Sequence, residues 1–334
     1  FDISHQVVLK KGREESLRRK HPWIFSGAIH QLPANLNDGS WVSVKDSAGA
    51  IIGYGHYQRG SIAIRMLHFG ADQPDEHFYQ RKFRSALDMR KRIQVIRAQT
   101  NAFRLIHGEG DGLPGLIVDL YDHVAVIQAH SHGMHADRDG ITKAFVEVFG
   151  NKISTIVYKT QGLHVQPFNE LMLGQGESPS MILEHGNKFM VDWREGQKTG
   201  FFLDQRENRK LVGELGKGRR VLNTFAYTGG FSVYALKGKA LEVHSVDASE
   251  KAIELARTNI DLNGYDIRKH SCFTSDVFEF LKDKQDLYDM IILDPPAFAK
   301  HKEARHQAMK GYQRLNAEAM RKIRPGGIIV TFSC

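Results

Sequence analysis

Residues 288–334 read Y-D-M-I-I-L-D-P-P-A-F-A-K, then a basic helical crossover, then R-P-G-G-I-I-V-T-F-S-C. Met290 to Leu293 is a short apolar run containing two β-branched residues, and it stops at Asp294-Pro-Pro. That pattern predicts a buried strand ending in a rigid turn. Gly327 to Cys334 reads as a second such strand after a Pro-Gly-Gly break. The 40 positions from Asp294 to Cys334 leave room for a crossover helix, so the two strands are expected to be parallel neighbours. Parallel neighbours lie about 4.8 Å apart and end on the same side, which predicts an acid and a thiol over one crevice at the carboxyl edge of a sheet.

The residues before this stretch alternate strand and helix. Arg220 to Tyr227 reads as a strand, Thr228-Gly229-Gly230 as a turn and Phe231 to Lys237 as a helix. Leu241 to Val246 is a second strand ending at Asp247, Ser249 to Asn263 a helix, and a third strand reaches Asp276. Such alternation predicts an α/β, doubly wound, Rossmann-like parallel sheet covered on both faces, here assigned to residues 191–334.

Upstream, residues 1–70 carry short alternating runs at Trp41 to Lys45, Ala50 to Tyr57 and Ser61 to Leu67, which predict a small β barrel. Residues 71–190 form a mixed α/β region. Its first helix is marked by Phe78, Tyr79, Phe83, Ala86, Met89 or Arg90, Ile93 and Ile96 on one stripe. Further strands are expected at Leu116 to Leu120, Thr155 to Lys159 and Met181 to Glu184. The glycine-rich loop 108–115 precedes a strand rather than a helix, which argues against an anion site.

The chain has 334 residues, with 46 Lys and Arg against 38 Asp and Glu, a net charge of +8 that suits a polyanionic partner. Arg81, Lys82, Arg84, Arg90, Lys91, Arg92, Arg97 and Arg104 crowd residues 81–104 against the single acid Asp88, and a second basic stretch runs from Lys300 to Arg324. Two distant cysteines, Cys272 and Cys334, make no disulfide framework. With no membrane-length apolar run and no signal-peptide core, a soluble cytoplasmic protein is expected. His130, His132 and His135 lack a matched carboxylate or cysteine, so no metal is expected. The chain starts at Phe1 and stops inside a strand pattern, as a fragment would. The sequence leaves the oligomeric state open, a homodimer included.

The loop A-Y-T-G-G-F-S lacks the G-x-G-x-x-G spacing of dinucleotide sites, and no G-x-x-x-x-G-K-[ST] occurs. Asp247, 18 residues after Gly229, stands where a carboxylate can accept from both ribose hydroxyls, and Asp276 where one can accept from an adenine amino group. Each acid alone also reads as a helix cap or turn residue. Together, at successive strand ends, they suit an adenosine without phosphates.

The blocks G-Q-K-T-G-F-F-L-D-Q-R-E-N-R (196–209), N-T-F-A-Y-T-G-G-F-S (223–232), V-D-A-S (246–249), D-P-P-A-F-A-K (294–300) and T-F-S-C (331–334) resemble those of class I S-adenosylmethionine-dependent methyltransferases. They are most similar to the large-subunit ribosomal RNA cytosine-5 methyltransferases that carry an N-terminal PUA domain. The opening V-V-L-K-K-G-R-E-E-S-L-R-R-K-H-P-W-I-F-S-G-A-I resembles the start of that domain, an RNA-binding pseudo-barrel.

The resemblance implies S-adenosyl-L-methionine as cofactor and 23S ribosomal RNA as partner. It implies that Gln205 and Arg209 hold the methionine moiety, Tyr227 and Gly229 line the cofactor loop, Asp247 takes the ribose and Asp276 the adenine. Asp294 would face the target base and Cys334 would be the nucleophile. Lys10, Lys11, Arg13, Arg18, Arg19 and Lys20, with Arg81, Arg84 and Lys91 of the first long helix, would face RNA. The family's sheet continues with two more strands after the T-F-S-C block. Asp204 and Glu207 also form a capping-box pattern opening a helix.

Cytosine C5 is a poor nucleophile, so a thiolate adding to C6 is the expected activation. Asp294-Pro-Pro-Ala-Phe is also akin to the turn of methyltransferases acting on exocyclic amines, which need no cysteine. A noncatalytic RNA-binding protein is the third reading. Cys334 can equally be read as a small buried hydrophobe, and Cys272 as an inert core thiol.

Overall fold

The structure is a computed structural model that describes residues 1–160, 163, 169–283, 287–298 and 305–333. Contacts divide the chain into two compact units, Phe1–Ser178 with Trp193–Gly200, and Pro179–Asp192 with the chain from Phe201 onward.

The first unit opens with β1 (His5–Leu9), α1 (Glu15–Arg18), β2 (Trp23–Phe25), β3 (Ile29–Gln31), β4 (Trp41–Lys45), β5 (Ile51–Tyr57) and β6 (Ile62–Phe69). These strands form one sheet in the order β2-β6-β5-β4-β1-β3. All its pairs are antiparallel except β1 with β4. Alternation turns Val7, Leu9, Val42, Val44, Ile64 and Met66 inward to a small core. The three strands expected here are present, extended or trimmed by one or two residues.

Next come α2 (Phe78–Arg92), β7 (Ala102–His107), β8 (Leu116–Tyr121), β9 (Val124–Ala129), α3 (His132–Ala136), α4 (Arg138–Phe149), β10 (Thr155–Thr160) and β11 (Asn169–Leu173). The sheet order is β11-β10-β9-β8-β7, with only β9 and β10 parallel. Phe78, Tyr79, Phe83 and Ala86 of α2 pack inward as their spacing predicts. Of the two residues the spacing allows next, Met89 is 53% exposed, and the stripe departs from expectation at Ile93, 59% exposed. Arg90 takes the inner position: Nη2 bonds Asp111 Oδ2 at 2.7 Å and Nε bonds the Arg104 carbonyl at 3.1 Å. A fully paired guanidinium outcompetes the thioether there.

One carboxylate ties the two sheets of this unit together. Oδ2 of Asp137 accepts Trp41 Nε1–H at 2.8 Å and Tyr79 Oη–H at 2.5 Å, and lies 3.1 Å from His56 Nε2. Burial pushes the Asp137 carboxyl up, but His56, Tyr79 and Trp41 outweigh it and hold the acid below its ordinary range.

The second unit begins with a hairpin of β12 (Ser180–Glu184) and β13 (Asn187–Val191). The strand expected at Met181 to Glu184 is therefore grouped with the C-terminal unit and not with the central region. The unit continues with α5 (Arg206–Leu215), β14 (Arg220–Thr224), α6 (Gly230–Lys237), β15 (Glu242–Asp247), α7 (Glu250–Leu262), β16 (His270–Thr274), α8 (Val277–Asp283), β17 (Tyr288–Leu293), α9 (Arg305–Lys322) and β18 (Ile323–Thr331). The sheet order is β16-β15-β14-β17-β18, all parallel.

Helices α6 and α7 cover one face of this sheet and α8 and α9 the other. Leu222, Ile291, Leu293, Phe280 and Leu315 are buried on the α8 and α9 side. The Pro-Gly-Gly expected to precede the last strand lies inside β18. Tyr288 pairs Ile323 and Met290 already pairs Ile328, so the extra residues bulge out between the two pairs.

Candidate cofactor and active site

Register aligns the strand ends. Thr224 is paired with both Val246 and Leu293, Asp247 with Thr274, and Leu293 with Thr331. The order reverses between β14 and β17, so the loops after these strands gather at a topological switch point, where open α/β sheets bind ligands.

The loop after β14 has an unusual backbone: Phe225, Tyr227 and Gly229 all have left-handed φ, at 53°, 45° and 71°. This is why the strand stops at Thr224 and not at Tyr227. A left-handed non-glycine residue costs on the order of 1–3 kcal/mol, so neighbours must hold it. Ala226 N–H donates to the Val246 carbonyl at 3.0 Å, and Tyr227 N–H to Asp247 Oδ2 at 2.9 Å. Gly229 N–H donates back to the Ala226 carbonyl at 2.8 Å. Asn259 on α7 is fully buried and completes the clamp, donating to the Thr228 carbonyl at 2.8 Å and accepting the Met190 N–H at 2.8 Å. A Cβ on Gly229 would lie 2.9 Å from Ala256 Cβ, so glycine is required by both dihedral and space.

Asp247 is half-buried and its second oxygen, Oδ1, accepts Ser249 N–H at 2.9 Å. Each carboxylate oxygen has a further lone pair, so the oriented group can still accept from two hydroxyls. Asp276 is exposed and caps α8, with Oδ1 accepting the N–H groups of Phe278 at 2.9 Å and Glu279 at 3.1 Å. The cap reading of this acid therefore holds for one of its oxygens.

Asp294 follows the last residue of β17 and is half-buried. Its turn is pinned by Phe298, whose ring meets Tyr312 of α9 edge-on at 4.7 Å. Phe332 N–H donates to the Leu293 carbonyl at 2.9 Å and its ring stacks on Phe231 at 5.5 Å, so the chain leaving β18 is tied to the edge that carries Asp294. Cys334 and Lys300 lie outside the described residues. Cys272 is half-buried on the edge strand β16 rather than in the core, and burial pushes its thiol up.

Gln205 is the N-cap residue of α5, makes no side-chain cap bond and accepts Asn208 Nδ2–H at 2.8 Å. The N-cap thus falls one residue later than the Asp204 capping box predicts. Arg209 is only 3% exposed and all three of its nitrogens are engaged: Nε and Nη2 on Glu184 at 2.8 and 2.7 Å, Nη1 on the Phe202 carbonyl at 2.9 Å. Its side chain braces the segment that carries Phe202 and Gln205. Phe202 in turn meets Tyr227 of the loop after β14 edge-on at 5.5 Å.

Glu184 and Asn259 are the residues that sequence reasoning missed. Glu184 is fully buried, and Tyr234 Oη donates to it at 3.0 Å. Burial pushes its carboxyl up, but Arg209 and Arg206 prevail and hold it below the usual range. Nothing in local spacing marks a strand-end Glu as the partner of an Arg 25 residues later.

Lys10, Lys11, Arg13, Arg18, Arg19, Lys20, Arg81, Arg84 and Lys91 are all exposed. Arg18 pairs with Glu15 and Arg81 with Asp75, while Lys10 donates to the Gly27 carbonyl at 2.9 Å. Among the described residues no group of three or more His, Cys, Asp or Glu could hold a metal, and no helix is long and apolar enough to cross a membrane.

Comparison with known proteins agrees with this geometry. The sequence profile of S-adenosylmethionine-dependent methyltransferases matches residues 166–334, and that of a PUA-like domain matches residues 7–69. The chain is 40% identical to the ribosomal RNA large subunit methyltransferase I of Alteromonas mediterranea, over 99% of this chain and 85% of that protein. It is 38% identical to the protein of the same name from Erwinia tasmaniensis, over 98% and 85%. Among solved structures, a protein described as a methyltransferase and complexed with SAH superposes with a TM-score of 0.83 at 26% identity, over 98% of this chain and 85% of that one. A SAM-dependent methyltransferase assignment from Streptococcus mutans gives a TM-score of 0.81 at 26% identity, with the same coverage. With its PUA-like β domain and its doubly wound sheet, the chain belongs to the S-adenosylmethionine-dependent methyltransferase family, alongside the ribosomal RNA large subunit methyltransferase I proteins, and its cofactor is S-adenosylmethionine.

Proposed function

We propose that this protein methylates C5 of a cytosine in large-subunit (23S) ribosomal RNA through a transient bond to Cys334. The reading is supported above all by full-length similarity to proteins named ribosomal RNA large subunit methyltransferase I. The T-F-S-C and D-P-P-A-F blocks, on strands in parallel register, support the finer assignment. A cytoplasmic location follows from that substrate.

Asp247, oriented by the N–H groups of Tyr227 and Ser249, would hold the ribose hydroxyls of S-adenosylmethionine. Asp276 would take the adenine amino group with the oxygen not engaged by α8. Gly229 and Tyr227 would line the loop, and Gln205 the methionine end, with Arg209 bracing that segment from behind. The bound cofactor supplies an electrophilic methyl group.

On the RNA side, the Cys334 thiolate adds to C6, which makes C5 enamine-like and nucleophilic. Asp294 in its protonated form donates a hydrogen bond to ring N3, or as a carboxylate stabilises a protonated N3, as negative charge builds there. After C5 is alkylated, a base removes its proton, the C6–S bond breaks and the thiolate is regenerated. The target base must leave any stack to reach this edge, and the exposed lysines and arginines of the first unit would grip the RNA backbone.

The test is incubation of the protein and S-adenosylmethionine with ribosomal RNA containing 5-fluorocytosine, which has no C5 proton to lose. A covalent complex mapping to Cys334, lost in Cys334→Ala, is expected. Methyl transfer that survives Cys334→Ala would assign the Asp294-Pro-Pro turn to exocyclic-amine methylation. Calorimetry without S-adenosylmethionine binding would leave a noncatalytic RNA-binding protein.

A further inference from the structure

Strand β2 is the edge strand of the PUA-like sheet, and its side chains alternate. Ile24 is buried in the core, while Trp23 and Phe25 turn to the opposite face, Trp23 half-buried and Phe25 49% exposed. His21, exposed, extends the row. The rings meet edge-to-face, His21 with Trp23 at 6.0 Å and 80°, Trp23 with Phe25 at 6.4 Å and 89°. In each edge-to-face pair one ring directs its edge at one face of the other, so the opposite face of that ring is left uncovered by its neighbour. The indole is also fixed in place, because Trp23 Nε1–H donates to Glu109 Oε1 at 2.9 Å.

The surroundings are cationic. Trp23 is paired across the sheet with Arg65, whose side chain therefore shares its face. Lys10 reaches the turn directly after Phe25 through its bond to the Gly27 carbonyl. Arg19 and Lys20, both exposed, immediately precede His21. A row of immobilised aromatic rings among lysines and arginines fits a single-stranded polynucleotide, whose bases stack on rings while its phosphates meet the cations. Glu109, which accepts the indole N–H, offsets part of the Arg65 charge, and a protein partner with an apolar face would gain little from the cations that remain.

We infer that His21, Trp23 and Phe25 form a stacking platform for unpaired bases of the RNA substrate. The inference rests on the ribosomal RNA reading and adds to it that the substrate must offer unpaired bases where it crosses β2.

The chain supplies its own probe. Of its three tryptophans, Trp41 and Trp193 are 5% and 0% exposed, so the solvent-accessible emission comes from Trp23. The protein is titrated with a single-stranded RNA dodecamer and with a duplex of equal length. Quenching by the single strand and not by the duplex, absent in Trp23→Phe, is expected. Trp23→Ala with Phe25→Ala should weaken single-strand binding at least tenfold, and Trp23→Phe, which keeps a ring, by less. The slope of log Kd against log salt should stay the same in both, because the phosphate contacts remain.

Circular dichroism and thermal melting of the whole chain show that the first unit of the variants is folded. Equal quenching by duplex, or binding by the double variant within twofold of wild type, overturns the platform. So does a dimer, seen by light scattering, that the double variant dissolves. Methyl transfer to ribosomal RNA by the wild-type protein together with either result overturns the platform alone. No transfer to that RNA despite intact cofactor binding overturns the substrate reading and the platform with it.

Discussion

Both oxygens of Glu184 are taken by the guanidinium of Arg209, Oε1 by Nε at 2.8 Å and Oε2 by Nη2 at 2.7 Å, and both side chains are buried. The pair joins the β12–β13 hairpin to α5, and through the Phe202 carbonyl and ring it reaches the loop after β14. Glu184→Gln leaves the buried Arg209 cation without a counter-charge and turns an NH2 donor toward it. A stability loss of about 3–5 kcal/mol is expected in denaturant unfolding, with weaker cofactor binding by calorimetry. Adding Arg209→Gln removes the more deeply buried of the two stranded cations, Arg206 being the other, and should restore part of the stability, whereas independent sites would simply add their losses.

Asp247 accepts a backbone N–H on each oxygen, from Tyr227 and Ser249. In Asp247→Asn one of those positions becomes an NH2 group facing an N–H, and the charge that strengthens any hydroxyl contact is gone. Hydrogen bonds to charged groups contribute about 1.5–3 kcal/mol, so affinity for S-adenosylmethionine should fall roughly ten- to a hundredfold. Isothermal calorimetry reads this directly, and affinity within twofold of wild type would remove Asp247 from the cofactor site.

Gly229 combines φ of 71° with a neighbour that leaves no room for a methyl group. Gly229→Ala should cost about 2–3 kcal/mol, from the left-handed backbone and the approach to Ala256. Thermal melting checks the total. Gly229→Ala with Ala256→Gly, measured against Ala256→Gly alone, relieves the nearer Cβ contact and leaves the 3.1 Å approach to Ala256 Cα with the dihedral strain.

His270 sits beside Ser245, whose Oγ lies 2.8 Å from Nε2, and burial, with His244 and Arg257 adding to it, pushes its pKa down to about 4. The folded protein therefore resists a proton that the unfolded chain accepts near pH 6.5. The neutral imidazole costs nothing above that pH. As pH falls from about 6.5 to 4 the unfolded state gains a proton and stability drops, by on the order of 2–3 kcal/mol. Unfolding curves at pH 7 and pH 4.5 should differ by less in His270→Gln than in wild type, and an equal difference would show that other groups carry the acid sensitivity.

The arrangement of the C-terminal sheet could be read from the chain. Apolar runs of strand length, separated by amphipathic segments and ending at Asp247, Asp276 and Asp294, allow a parallel doubly wound sheet and little else. Periodicity and connection length are local properties that survive in any tertiary context. An adenosine without phosphates was legible for the same reason, since spacing disfavoured pyrophosphate loops and left acids at successive strand ends, while S-adenosylmethionine itself was implied by the resemblance of the sequence blocks.

Tertiary structure decided what depends on partners distant in sequence. Between Met89 and Arg90, which the spacing left open, Arg90 took the inner stripe of α2 because Asp111 and the Arg104 carbonyl wait there. The strand after Arg220 stopped at Thr224 because Asp247 and Val246 hold the next residues in a left-handed turn. Arg209 became a brace because Glu184 is buried against it. Each outcome turns on a charge or a backbone group finding its partner across the fold, and no local pattern carries that information.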